Sequence, residues 1–138
     1  MPATRGQRLP KSVRDGDARA VAAWLEGGGG VDADDSGITL LMMAAIRGEE
    51  ATVRLLLQRG ASVNLQNCLG YNALMLAASN GHTTIAQTLL DAKADASLQN
   101  KNGFTALIMA EQGKKPATAH LLRQHVERQA AEAATDTL

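Results

Sequence analysis

Short apolar blocks alternate with polar ones at a regular spacing along the chain. The blocks GITLLMMAAIRG, GYNALMLAASNG and GFTALIMAEQG begin at Gly37, Gly70 and Gly103, so the leading glycines recur every 33 residues. Behind each glycine the positions agree in kind: Thr39, Asn72 and Thr105, then Leu41, Leu74 and Leu107, then Ala44, Ala77 and Ala110. Paired leucines follow at Leu56-Leu57, Leu89-Leu90 and Leu121-Leu122. A fixed period of this length marks stacked units, each too small to bury its own apolar face alone.

Within a unit the pattern predicts two short helices and a turn. Thr39, Asn72 and Thr105 stand where a helix N-cap belongs, their side-chain oxygens free to accept from first-turn amides. The first helix spans about seven residues, too few to be stable in isolation. Its paired alanines, Ala44-Ala45 and Ala77-Ala78, leave room for a neighbouring backbone. Gly48, Gly81 and Gly113 are expected to end it in the left-handed conformation. Val53, Leu56 and Leu57 give the second helix its apolar face, and Gly60 stops it. The polar segment VNLQNCLG then suits a tight turn or hairpin.

Upstream, Gly16-Asp17, Val21, Trp24-Leu25, Gly28 and Val31 keep the same order, and Leu9 falls on the leucine column. An N-terminal unit with both helices, serving as a cap, is the expectation. The third unit reads as one residue shorter between its glycines, with Glu111 in place of the second alanine, and is expected to form a C-terminal cap. Beyond His125 nothing stops the last helix. RQHVERQAAEAA is rich in helix formers, and Arg128 and Glu132 are four apart, so the helix is expected to run to about Ala134 before fraying.

These features together resemble the ankyrin repeat family across residues 9–126. The residues that carry the resemblance are Asp34-x-x-Gly37, Asn67-x-x-Gly70 and Asn100-x-x-Gly103, the leucine-alanine helices after them, Gly81-His82, and GASVN from Gly60 to Asn64. The resemblance implies an all-α solenoid of helix-turn-helix units with hairpin-like loops. It partitions the chain into a disordered lead-in (1–8), a cap unit (9–33), repeats over 36–68, 69–101 and 102–126, and a helical extension fraying to a disordered tail (127–138). Three departures stand out. Leu40, Ala73 and Ala106 replace the proline of the family's Thr-Pro-Leu-His signature, and Met42, Met75 and Ile108 replace its histidine. Lys93 occupies a helix-stopping glycine position, at a cost on the order of 1 kcal/mol if it turns left-handed.

Composition narrows the function. Lys+Arg and Asp+Glu each number 14, so the formal charge is zero, and the electrostatic excess that a nucleic-acid binder needs is missing. The single cysteine, Cys68, cannot form an intrachain disulfide, which fits a reducing compartment. No stretch has the roughly 18 apolar residues of a membrane span, nor does the amino terminus have the apolar core of a secretory signal. The expectation is a monomer in the cytoplasm.

Catalytic chemistry finds no foothold. His120 and His125 are five apart and diverge on a helix, so they make no metal pair. His82 follows Gly81 at the family's histidine position and is expected to be structural. Cys68 has no histidine near it in sequence. The run Gly27 to Gly30 lacks the Gly-Lys-Ser/Thr of a phosphate loop. Four of five methionines (Met42, Met43, Met75 and Met109) lie on first helices and are expected to pack in the core. No catalytic residue, metal or cofactor is predicted.

What remains is the surface that the resemblance implies for binding a protein partner, namely the turn tips and the exposed side of the first helices. Carried over by position, these residues are Asp35, Ser36 and Ile38 in the first unit. Cys68, Leu69 and Tyr71 follow in the second, and Lys101, Asn102 and Phe104 in the third. Ile46, Arg47, Ser79 and Asn80 extend them along the first helices. Ile38, Tyr71 and Phe104 share one position after the tip and are expected to form an apolar line across the concave face, their spacing set by units stacked roughly 10 Å apart. Such a line at the centre of a polar-rimmed surface has the character of a binding hot spot. The tips also change from acidic (Asp34, Asp35) to basic (Lys101), which would orient a partner of opposite polarity. The function expected is non-catalytic recognition of a protein. The rival readings are a regulatory or inhibitory subunit of an enzyme, and a structural protein self-associating through the C-terminal helix.

Overall fold

Local capping sets where each repeat begins. Thr39 Oγ1 accepts from the Met42 amide at 3.2 Å, Asn72 Oδ1 from Met75 at 2.9 Å, and Thr105 Oγ1 from Ile108 at 3.4 Å. These three caps open the helices α3 (Leu40–Arg47), α5 (Ala73–Ser79) and α7 (Ala106–Gln112). Each is followed by an antiparallel partner: α4 (Glu50–Gln58), α6 (Thr83–Asp91) and α8 (Pro116–Asp136). A shorter pair precedes them, α1 (Lys11–Arg14) and α2 (Ala18–Glu26), the latter capped by Asp17. The computed structural model describes residues 9–136, so the expected lead-in over 1–8 and residues 137–138 lie outside it.

The helices stack in two layers. The inner layer is α1, α3, α5 and α7, the outer layer α2, α4, α6 and α8, and each helix packs against its own partner and its sequential neighbour in the layer. The result is the all-α array that the 33-residue period predicts. Ala44, Ala77 and Ala110 have no exposed surface, so the small-residue column sits where inner helices meet. Leu56, Leu89 and Leu122 are equally buried, one per outer helix. Met42 and Met75, which replace the family histidine, are fully buried as well, so apolar packing fills that position. Leu9 is buried at the start of the cap unit, as Leu41 is in the first repeat.

Hydrogen bonds tie the units together. Thr52 Oγ1 donates to the Gly16 carbonyl at 2.5 Å, and the hydroxyls of Thr83 and Thr118 meet at 2.6 Å. The Asp32 carboxylate accepts from the Ser62 amide and hydroxyl, and Asn64 Oδ1 from the Asp95 amide at 2.7 Å. His82 Nε2 lies 3.0 Å from the Ile46 carbonyl. Since that carbonyl only accepts, Nε2 carries the proton, and the histidine bridges the second unit to the first. Replacing His82 by alanine is expected to lower stability by about 1 kcal/mol, the net value of one hydrogen bond, measured as a lower urea midpoint with an unchanged slope.

The three hairpins differ in detail. In the first, β1 (Asp34–Asp35) pairs antiparallel with β2 (Ile38–Thr39), joined by Ser36 and Gly37 at φ 56° and 85°. Two left-handed central residues make the tight turn whose twist matches its strands. The second and third tips instead hang on an asparagine. Asn67 Oδ1 accepts from the amides of Leu69 and Tyr71, and Asn100 Oδ1 from those of Asn102 and Phe104.

The third unit corrects two expectations. Gly113 is not left-handed, with φ −77°; Lys114 takes that conformation instead, at φ 56°. Nor is the unit shortened, since α7 and α5 both have 7 residues and Lys114 stands 33 residues after Gly81. The glycine has moved one place rather than the helix having lost a residue. The reason is contact: a Cβ on Gly113 would lie 2.9 Å from the Ser79 carbonyl oxygen, so glycine is needed where α7 meets α5. Lys93, by contrast, does adopt the left-handed conformation expected of it, at φ 73°. The last helix runs past Ala134 to Asp136 without a break, close to the end expected for it.

Candidate functional site

The expected binding residues all lie on the inner layer and its hairpins. Five of them are brought together with two others in one depression. Asp35, Ser36 and Ile38 come from the first hairpin, Ile46 and Arg47 from the end of α3, and Arg14 and Met43 complete it, enclosing about 550 Å³. Ile38, Met43 and Ile46 make it apolar, while Asp35 and the two guanidiniums make its charged edge. Ile46 is 37% exposed, an apolar side chain held at the surface by a helix whose other face is packed.

The remaining residues sit apart from that depression. Cys68 and Leu69 are exposed at the second tip, Lys101 and Asn102 at the third, and the Lys101 amide donates to the Leu69 carbonyl at 3.0 Å. That bond joins the two tips into one surface. Leu69 is 54% exposed. Ser79 is half-buried, and Asn80 turns its side-chain amide back to the Leu76 carbonyl at 2.8 Å, closing the end of α5. Tyr71 and Phe104 are equivalent in the backbone: each accepts from, and donates to, its tip asparagine. Ile38, Tyr71 and Phe104 are all half-buried, and Ile38 and Tyr71 pack against the core. The column therefore props the hairpins as well as showing a surface.

Charge is concentrated near the depression. Lys11 Nζ lies 2.9 Å from Asp15, Arg47 is 3.5 Å from the same carboxylate, and Arg14 Nε is 3.8 Å from Asp35. The hydrogen bond from Lys11, and then the charges of Lys11, Arg47 and Arg14, hold the Asp15 carboxyl below its ordinary value. Arg14 and Met43 are the members that sequence reasoning missed. The cap unit runs 32 residues ahead of the next (Leu9 to Leu41, Val21 to Val53), and the same offset puts Arg14 in the column of Ile46. That signal was present. Met43 was assigned wholly to the core, and it is indeed buried, but its remaining surface faces the depression.

A larger polar groove of about 740 Å³ runs between α8 and the end of α6, with His125, Arg128 and Glu132 on one side and Asp91, Lys93 and Asp95 on the other. Its charges are mixed. Elsewhere the features that suggest chemistry are structural. Gly29 lies beneath Trp24, whose indole nitrogen donates to the Gly30 carbonyl at 3.1 Å, so the glycine run makes room for a ring. Among the described residues, no group of three or more His, Cys, Asp or Glu side chains is placed to hold a metal ion, and no helix is long and apolar enough to cross a membrane.

The family model for ankyrin repeats in three copies matches residues 11–100 and again 41–131. The chain belongs to the ankyrin repeat family. No curated protein matches it. Ankyrin repeats are generally modules of protein–protein interaction, and the family is typically non-catalytic. The ankyrin frame also accounts for the geometry above: capped inner helices follow the hairpin tips, and the outer helices bury the leucine column.

Proposed function

We propose that this ankyrin array binds a protein partner through its concave face, using the hairpin tips and the ends of α3 and α5. The observation that carries the reading is the pair Ile46 and Leu69. They are two of the four large apolar side chains exposed among the described residues, and both stand on the inner-layer side. Apolar side chains held in water by a rigid scaffold lose little entropy on binding and gain the burial. Ile38, Tyr71 and Phe104 supply the base behind them. The C-terminal helix offers less, because Val126 is its one exposed large apolar residue.

The test uses the exposed pair, since the half-buried column also supports the hairpins. The full chain and its I46E/L69E variant are used to capture partners from lysate, after circular dichroism shows equal folding. Wild type is expected to retain specific proteins that the variant loses. Equal retention by both would place binding elsewhere.

A further inference from the structure

We propose that the depression beside the first hairpin receives a partner segment in which an apolar side chain lies next to an aspartate or glutamate, with Arg14 and Arg47 gripping the carboxylate. The inference rests on the protein-binding reading of this face and adds the partner's chemistry to it. The apolar part of the recognition falls to Ile38, Met43 and Ile46, which line the depression.

The charged part follows from two arginines that are only loosely paired within the chain. Arg14 Nε is shielded from solvent and has no hydrogen-bond partner. Asp35, at 3.8 Å, is near enough for charge attraction but too far for a hydrogen bond. Arg47 is open to solvent and only loosely paired. It lies 3.5 Å from Asp15, a carboxylate already bonded to Lys11 at 2.9 Å, and half of its side-chain surface is exposed. Asp34 does not help, because its carboxylate accepts from the Gly37 amide at 2.9 Å and does not line the depression. Two guanidiniums therefore face the depression against the single carboxylate of Asp35. The Arg14 side chain as a whole is about a third exposed, so the guanidinium can be approached from the depression beyond its shielded Nε, and hydrogen bonds between charged groups are the strong ones. An incoming carboxylate completes both guanidiniums, whereas an incoming ammonium meets like charge.

The experiment is a selection of random linear peptides on the full chain. The best-enriched peptide is then labelled and titrated by fluorescence polarisation. Enriched peptides are expected to carry Asp or Glu adjacent or next-but-one to Leu, Ile, Met or Phe. Changing that acid to its amide is expected to weaken binding by about tenfold or more, the range for a charged hydrogen bond. Arg14→Gln is expected to weaken the acidic peptide by a similar factor and leave the amide peptide unchanged, the coupling expected of a direct contact. Arg47→Gln repeats the measurement at a half-exposed position if R14Q fails to fold. Enriched peptides without acids, or independent effects of acid and arginine, overturn the inference. If Ile46→Ser weakens binding while the arginine changes do not, the protein-binding face stands and the carboxylate falls. If no peptide is enriched, or none responds to Ile46→Ser, Arg14→Gln or Arg47→Gln, both fall.

Discussion

Gly70→Ala is expected to destabilise the array far more than Gly103→Ala, although both glycines occupy the same place in the repeat. Their φ angles are 85° and 80°, so an added Cβ meets the same left-handed strain in each, about 1–2 kcal/mol. The surroundings differ. At Gly70 the new atom would lie 2.7 Å from the Asn100 Cα and 3.0 Å from the Lys101 nitrogen, both backbone of the next unit. At Gly103 nothing lies within 4 Å. Backbone cannot step aside as a flexible side chain can, so the second tip would have to move away from the third. That movement adds about 1–3 kcal/mol of overpacking strain and strains the bond from the Lys101 amide to the Leu69 carbonyl. Urea unfolding of the two variants checks it. Equal losses would mean that the tips are not in register as described.

The second large effect concerns the outer layer. Leu89→Ala is expected to cost about 2–5 kcal/mol, the range for deleting a fully buried leucine. Against a total stability of about 5–15 kcal/mol for an ordinary domain, that loss leaves little. Leu89 has no exposed surface and lies on α6, which packs against α4 on one side and α8 on the other. In a stacked array each unit is stabilised chiefly by its neighbours, so a cavity in the central unit weakens both junctions at once. Circular dichroism during urea unfolding is expected to show a lower midpoint for L89A. Broadening into two phases would mean that the cap unit with the first repeat unfolds separately from the third repeat with α8. A loss well under 1 kcal/mol would show that the 33-residue leucine column does not carry the stack.

Most of the scaffold was legible because it repeats. The caps at Thr39, Asn72 and Thr105, the alanine column, and the leucine column each appear three times in register, and repetition separates a structural requirement from chance. Legibility failed where a local contact overrode the pattern. Gly113 reads as the helix stop of a shortened unit, but glycine there answers the closeness of the Ser79 carbonyl, and Lys114 keeps the register by accepting a left-handed backbone. No one-dimensional reading reveals a neighbour one period away in space.

The candidate site was legible as positions and not as an assembly. The tips and helix ends could be named from the register, but whether they converge depends on how the cap unit packs. α1 brings Arg14 against the first hairpin, where it lines one depression together with Asp35, Ser36, Ile38, Ile46 and Arg47. The column of Ile38, Tyr71 and Phe104 was readable as a line, yet its half-burial shows a second role in holding the hairpins that sequence does not apportion.

Hydrogen–deuterium exchange on the full chain, alone and saturated with a captured partner or enriched peptide, tests the central claim most directly. The account predicts slowed exchange in residues 34–39, 67–71 and 100–104 and at the ends of α3 and α5, with α4, α6 and α8 unchanged. Protection confined to α4, α6 and α8, with the tips exchanging as before, would contradict it.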